Sequence, residues 1–398
     1  MKRVEIMSNL IKLHSLTIFR NLLKDPVICK LAELFKIKGN DTDKWVYGYS
    51  EFASALFEHT ENLSEYLLNI VLEDENFYMK SCGEGKTPSK EAERALKEEL
   101  KILENISKIT SKDISKEINY DGYLPKWETA EFDFYSIYKK RLKDIKTHGY
   151  GIFAKYTTFI VENGSLLPVK NPDDINLTSL SGYKREKKEL IDNTKALLKG
   201  LPALNVLLYG DAGTGKSTTV KAVANEFKEK GLRLIELKKS QLGEIPKLVD
   251  YLSKNPLKFI IFIDDLSFTK DDDDFSALKA MLEGSVSSKS KNLVIYATSN
   301  RRHLVKESFS DRDGDDIHAN DTMQELSSLS DRFGLTITFI KPGKDTYLSI
   351  VKDLALQYNL SLDKKELEAT AERFALSRGG RSPRVAKQCV EYLKTLED

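Results

Sequence analysis

The 398-residue chain contains three cysteines, Cys29, Cys82 and Cys389, odd in number, far apart and without a C-x-x-C pair. That pattern argues against a disulfide framework or a cysteine-ligated zinc site. Charge of one sign is also missing: 62 Lys and Arg stand against 61 Asp and Glu, a formal net charge of +1. Global charge therefore neither demands nucleic acid nor excludes a local basic face. No apolar run approaches the roughly 18 residues that span a bilayer. The first ten residues mix polar side chains where a signal peptide would hold an apolar block. A soluble, reducing, cytoplasmic protein without a membrane partner is expected, and the length suggests two or three domains.

Residues 1 to about 115 carry no catalytic motif and read as helical, with segments near 4–37, 49–80 and 88–109. Phe52, Leu56, Leu63, Leu67 and Ile70 recur at helical spacing, as a helical core requires. Residues 120–165 are rich in Tyr and Phe, with Trp127 and the basic stretch Lys139-Lys140-Arg141-Leu142-Lys143. Aromatics interleaved with basic residues can bind single-stranded nucleic acid; a solvated helix face is the favoured reading of the stretch. Turn-forming Asn171-Pro172-Asp173-Asp174 marks a linker. The expected division is a mainly helical domain over 1–171 that selects a partner or substrate, an α/β core over 172–342 and a helical lid over 343–398.

The core opens its chemistry with Val206-Leu207-Leu208-Tyr209 running into Gly210-Asp211-Ala212-Gly213-Thr214-Gly215-Lys216-Ser217-Thr218, the spacing of a phosphate-binding P-loop. Glycines let consecutive backbone N–H groups turn toward a polyphosphate, Lys216 reaches the β- and γ-phosphates, and Ser217 can hold Mg²⁺. The helix starting near Lys216 adds its positive dipole end. Strands at 205–209, 232–237, 258–263, 292–297 and 335–339 alternate with helices at 184–199, 216–230, 241–254 and 275–284, which predicts a parallel sheet covered on both faces.

Lys258–Ile263 is a continuous apolar run ending in Asp264-Asp265, as a central strand delivering carboxylates to a phosphate site would be. Asp264 is expected to join Ser217 around Mg²⁺, and Asp265 to orient and deprotonate an attacking water. The next strand ends in Asn300, placed to position that water. Arg332, in Ser330-Asp331-Arg332-Phe333-Gly334, is expected to reach a neighbouring subunit's γ-phosphate, and Arg384, opening the last helix after Gly379-Gly380-Arg381-Ser382-Pro383, to contact the phosphate from its own chain. Asp271–Asp274 reads as a solvated loop, and 305–325 as an insertion. Arg301, Arg302, His303 and Lys306 form a local basic cluster that fits either subunit contacts or nucleic acid.

This ordered set resembles the AAA+ ATPases. More narrowly, Asp264-Asp265-Leu266-Ser267-Phe268, Ala297-Thr298-Ser299-Asn300-Arg301-Arg302-His303-Leu304 and Leu329-Ser330-Asp331-Arg332-Phe333-Gly334-Leu335 are similar to a bacterial AAA+ family labelled domain of unknown function 815, over about residues 172–395. The resemblance implies binding of ATP and Mg²⁺, ATP hydrolysis on a homo-oligomerising core, and Leu180 and Gly182 beside the adenine. It does not name the macromolecular partner, protein or nucleic acid. Relatives of this type mostly carry Glu where Asp265 stands; the shorter side chain leaves open slow hydrolysis, or an ATP-occupancy switch.

Overall fold

Side-chain caps set the helix lengths in the first part of the chain. A computed structural model describes residues 3–266, 278, 282, 291–300 and 332–397, which divide into two units, Met1–Lys155 and Tyr156–Asp398. In the first unit the stretch 49–80, expected as one helix, is three: Thr42–Phe57, Leu63–Glu73 and Phe77–Gly83. Asn62 accepts hydrogen bonds from the amides of Ser64 and Glu65, and Asn76 accepts one from Met79. Each satisfies helix-start donors that would otherwise lack partners. The stretch 4–37 is likewise interrupted, and Asp25 caps the helix Pro26–Lys36.

Phe52, Leu56, Leu63 and Leu67 lie in the core of this unit, and Ile70 packs partly buried against it. Trp127 is buried with them, its Nε1 donating to Ile109 O at 2.8 Å and its ring 5.0 Å from Phe52 and 5.1 Å from Tyr49. The basic stretch lies on the helix Phe134–Lys143. Lys139 is tied to Glu93 at 3.0 and 3.1 Å, and burial pushes the Arg141 guanidinium down from its usual value, with Glu73 pulling it back. Trp127 and Lys139 are therefore engaged within the unit.

The second unit holds a seven-stranded sheet in the order β2-β1-β4-β5-β6-β3-β7: β1 (Thr158–Glu162), β2 (Ser165–Pro168), β3 (Val206–Gly210), β4 (Leu232–Leu237), β5 (Lys258–Ile263), β6 (Leu293–Ser299) and β7 (Leu335–Phe339). All neighbours are parallel except the β1–β2 hairpin. Every β5 residue from Phe259 to Ile263 is buried, as a strand covered on both faces must be. One part of the core joins Leu208, Val220, Phe227, Ile260 and Phe262. Helices Lys344–Gln357, Lys364–Ser377 and Pro383–Lys394 form the C-terminal helical subdomain around Tyr347, Val351, Ala371 and Val390. Cys389 lies in the same core, where burial pushes its thiol up to about 11.

The division at 155/156 falls earlier than the linker expected at 172, because the sheet takes in residues 158–168. Asn163 and Gly164, at φ 50° and 72°, make the two-residue turn with positive φ that joins antiparallel strands. The expected linker is itself anchored: Asn225 on the helix Lys216–Phe227 donates to Asp173 O and Ile175 O at 2.7 and 3.1 Å. The expected helix 275–284 falls outside the described residues apart from Leu278 and Leu282, both buried. Asp271–Asp274, the basic cluster at 301–306 and the insertion 305–325 also lie outside the described residues. Among the described residues no helix is long and apolar enough to cross a membrane.

These boundaries predict different behaviour for two fragments. Phe159 and Val161 are buried on β1, each contributing about 2 kcal/mol by burial. A fragment starting at residue 172 should therefore melt about 8–16 °C below one starting at 156. Thermal unfolding followed by circular dichroism checks this; equal midpoints would remove β1 from the core.

Candidate active site

The loop that leaves β3 is shaped by what β7 and the last helix press against it. Gly210 has φ +133°, and a Cβ there would stand 2.0 Å from Phe339 O, so no other residue lets β7 lie this close. Asp211 N donates to Phe339 O at 3.0 Å, and Asp211 Oδ2 accepts from Lys341 N at 2.8 Å. Thr214 Oγ1 closes the loop onto Asp211 O at 2.8 Å. Gly215, at φ 90°, is the N-cap of the helix Lys216–Phe227. Ala212 is exposed, and Thr218 is half-buried in the first turn of that helix. From the far end of the chain, Arg384 N donates to Gly213 O at 3.2 Å. The last helix, capped by Ser382, thus begins on the loop.

Lys216 is 6% exposed. Its Nζ donates to Gly210 O at 3.1 Å, Asp211 O at 2.9 Å and Asn300 Oδ1 at 2.9 Å. Burial pushes the ammonium below its usual 10.5, against the pull of Asp211, Asp265 and Asp264, while Arg384 pushes it further down. A desolvated cation of this kind is stabilised by an arriving anion, and the helix N-terminus beside it favours the same charge.

Strand register brings the carboxylates to this loop. β6 lies between β3 and β5, with Ile263 level with Ala297 and Tyr209 level with Ser299. The residues just beyond are therefore neighbours. Ser217 Oγ donates to Asp264 Oδ1 at 2.6 Å, and Thr298 Oγ1 donates to the same oxygen at 2.5 Å. Asp265 N donates to Thr298 Oγ1 at 2.9 Å, and Asn300 Nδ2 donates to Asp265 Oδ1 at 2.8 Å. Asp265 itself is left-handed, φ 54°, a conformation that Asp tolerates better than most residues. Lys216, Ser217, Asp264, Asp265 and Asn300 are thus one hydrogen-bonded group. The adjacent Ser217 hydroxyl and Asp264 carboxylate suit Mg²⁺, which takes oxygen ligands, usually one or two carboxylates alongside phosphates and waters.

Leu180 and Gly182 lie on the flank of the loop. Leu180 O accepts from Lys187 Nζ, and Gly182 packs against Ile350 of the helix Lys344–Gln357. Tyr183 OH donates to Ile340 O at 2.6 Å, and its ring sits 5.1 Å from Phe339. Arg332 is placed apart from these residues. β7 pairs Leu335 with Val206 and Phe339 with Gly210, so Arg332, preceding β7, lies at the end of the sheet away from its own loop. Four residues of strand separate those ends by about 13 Å.

Thr298, Ser382, Tyr183 and Phe339 complete the site and were not singled out from sequence. For Thr298 the signal is its position two residues before Asn300, which puts both on one face at the end of a strand.

The fold and this group of residues define an AAA+ P-loop nucleotide-binding core carrying a C-terminal helical subdomain. The chain belongs to the family described as "Protein of unknown function (DUF815)", whose model matches residues 153–396. It is similar to the proteasome-activating nucleotidase of Methanococcus maripaludis strain C7, 32% identical over 114 residues, 25% of this chain and 28% of that protein. The proteasome-activating nucleotidase of Methanocella arvoryzae is 35% identical over 114 residues, 25% of this chain and 27% of that one. The chain thus spans little more than a quarter of the length of these curated relatives. The Holliday junction branch migration motor RuvB of Thermotoga maritima superposes with a TM-score of 0.38 at 18% identity, over 55% of this chain and 63% of that one.

Because a Cβ at Gly210 would collide with the β7 backbone in a region of φ that costs a non-glycine residue strain, Gly210→Ala should destabilise the protein by about 3 kcal/mol. Urea unfolding at unchanged m-value measures this. A loss below about 1 kcal/mol would mean the loop yields without strain.

Proposed function

We propose that the protein binds ATP at the 210–217 loop and hydrolyses it, using the energy to remodel a macromolecular partner, protein or nucleic acid, that the first unit, residues 1–155, selects. The observation that carries this reading is the hydrogen-bonded group of Lys216, Ser217, Asp264, Asp265 and Asn300 at the start of one helix. The amides of residues 211–218 cradle the phosphates, with Leu180 and Gly182 beside the base. Lys216 Nζ turns from the loop carbonyls to the β- and γ-phosphate oxygens. Ser217 and Asp264 would hold Mg²⁺, which when bound neutralises charge on the phosphates.

Asp265 accepts the proton of the attacking water, and Asn300 orients that water. Arg384, whose backbone already meets the loop, contacts the γ-phosphate and passes nucleotide state to the C-terminal helices. Arg332 is too far along the sheet to serve its own loop, which supports a role in trans, completing the site of a second copy in a homo-oligomer.

A second reading, an ATP-occupancy switch with slow turnover, draws on the bond from Asn300 Nδ2 to Asp265 Oδ1 and on an aspartate one methylene shorter than glutamate. Turnover separates the two. Under the hydrolytic reading Lys216→Ala loses nucleotide binding, whereas Asp265→Asn keeps binding and loses kcat by about 10²-fold or more. Arg332→Ala loses about 10³-fold and depresses wild-type activity when mixed with it. Labelled nucleotide recovered from the wild type as ATP after hours, with no ADP, would select the switch. Equal rates for wild type and Asp265→Asn would remove the base.

A further inference from the structure

We propose that Thr298 is a positioning residue that sets both acidic side chains of the site through one hydroxyl; the inference rests on the nucleotide-site reading above. Thr298 is 2% exposed, at the end of β6. Its oxygen has one hydrogen to give, and that hydrogen goes to Asp264 Oδ1 at 2.5 Å. The lone pairs are then left to receive Asp265 N at 2.9 Å. The carbonyl of the same residue accepts from Leu266 N at 2.6 Å. Thr298 therefore holds residue 265 from both sides, through the amide before its Cα and the amide after its carbonyl.

That double hold falls on the residue with the left-handed φ of 54°, where an L-residue needs its surroundings to keep it in place. It also fixes which face of the Asp264 carboxylate meets Ser217 Oγ, 2.6 Å from the shared Oδ1. A hydroxyl that orients a carboxylate behind its ligating oxygen commonly governs metal affinity and activity by about 10–100-fold when removed. Valine fills the same volume but neither donates nor accepts, leaving an Asp264 oxygen and the Asp265 N–H without this partner. Serine keeps both bonds.

The test uses full-length Thr298→Val and Thr298→Ser with two readouts: Mg²⁺ titration of the binding of a fluorescent ATP analogue, and kcat with KM for ATP hydrolysis. Thr298→Val should need about tenfold more Mg²⁺ for half-maximal binding and lose kcat by about 10–100-fold, while Thr298→Ser tracks the wild type in both. Analogue binding without Mg²⁺ should be the same in all three proteins. The proposal is overturned if Thr298→Val matches the wild type in both readouts, or if Thr298→Ser is as impaired as Thr298→Val, which would reduce the residue to packing. A wild type without turnover whose Mg²⁺ titration still separates Thr298→Val would remove the hydrolytic reading and support this one.

Discussion

Ser217 Oγ donates to Asp264 Oδ1 at 2.6 Å, and this bond joins the first turn of the P-loop helix to the end of β5, two strands away in the sheet. It is possible because β6 separates β3 from β5 and runs to Ser299, level with Tyr209 and two residues past the level of Ile263, so that residues just past β3 and β5 meet its end. Thr298 and Asn300, on alternate positions of the β6 terminus, fill the gap between carboxylates and lysine. A shift of β6 by one residue would turn both side chains to the other face, leaving Asp264 without Thr298 and Lys216 without Asn300.

The same arrangement explains why the loop is coupled to parts of the chain distant in sequence. Phe339 at the end of β7 lies directly on Gly210, Lys341 N donates to Asp211 Oδ2, and Tyr183 packs on Phe339 and donates to Ile340 O. Above them Ile350 touches Gly182, and Arg384 N bonds Gly213. Two helices of the C-terminal subdomain therefore rest on the loop and its flank.

Much of this was legible in the chain. The strands at 232–237, 258–263 and 335–339 have the bounds expected from their apolar runs and turn signals, because buried parallel strands leave little room for polar residues. Lys216, Ser217, Asp264, Asp265 and Asn300 come together as their motifs implied, since the carboxylates and Asn300 follow strand ends and Lys216 and Ser217 open the helix that follows β3. The helix breaks at 58–62 and 74–76 were missed because apolar periodicity continues across them and the decisive groups are single caps, Asn62 and Asn76. The β1–β2 hairpin was missed although Asn163-Gly164 between apolar runs is a strong turn signal, because Pro168 and the turn residues at 171–174 drew the boundary past it. Trp127 and Lys139 read ambiguously from composition, and only packing against Phe52 and Glu93 shows what they do. Thr298 escaped notice because a threonine at the end of a β-strand is ordinary; its role emerges from its bonds to Asp264, Asp265 and Leu266, just past the end of β5.

Calorimetric titration of the full chain with ATP, in the presence and in the absence of Mg²⁺, tests most directly whether the 210–217 loop and Asp264 together grip a magnesium-bound triphosphate. One nucleotide per chain is expected, with affinity that weakens when Mg²⁺ is withdrawn. Folded protein that gives no heat of binding, or binds with the same affinity in both titrations, would contradict it.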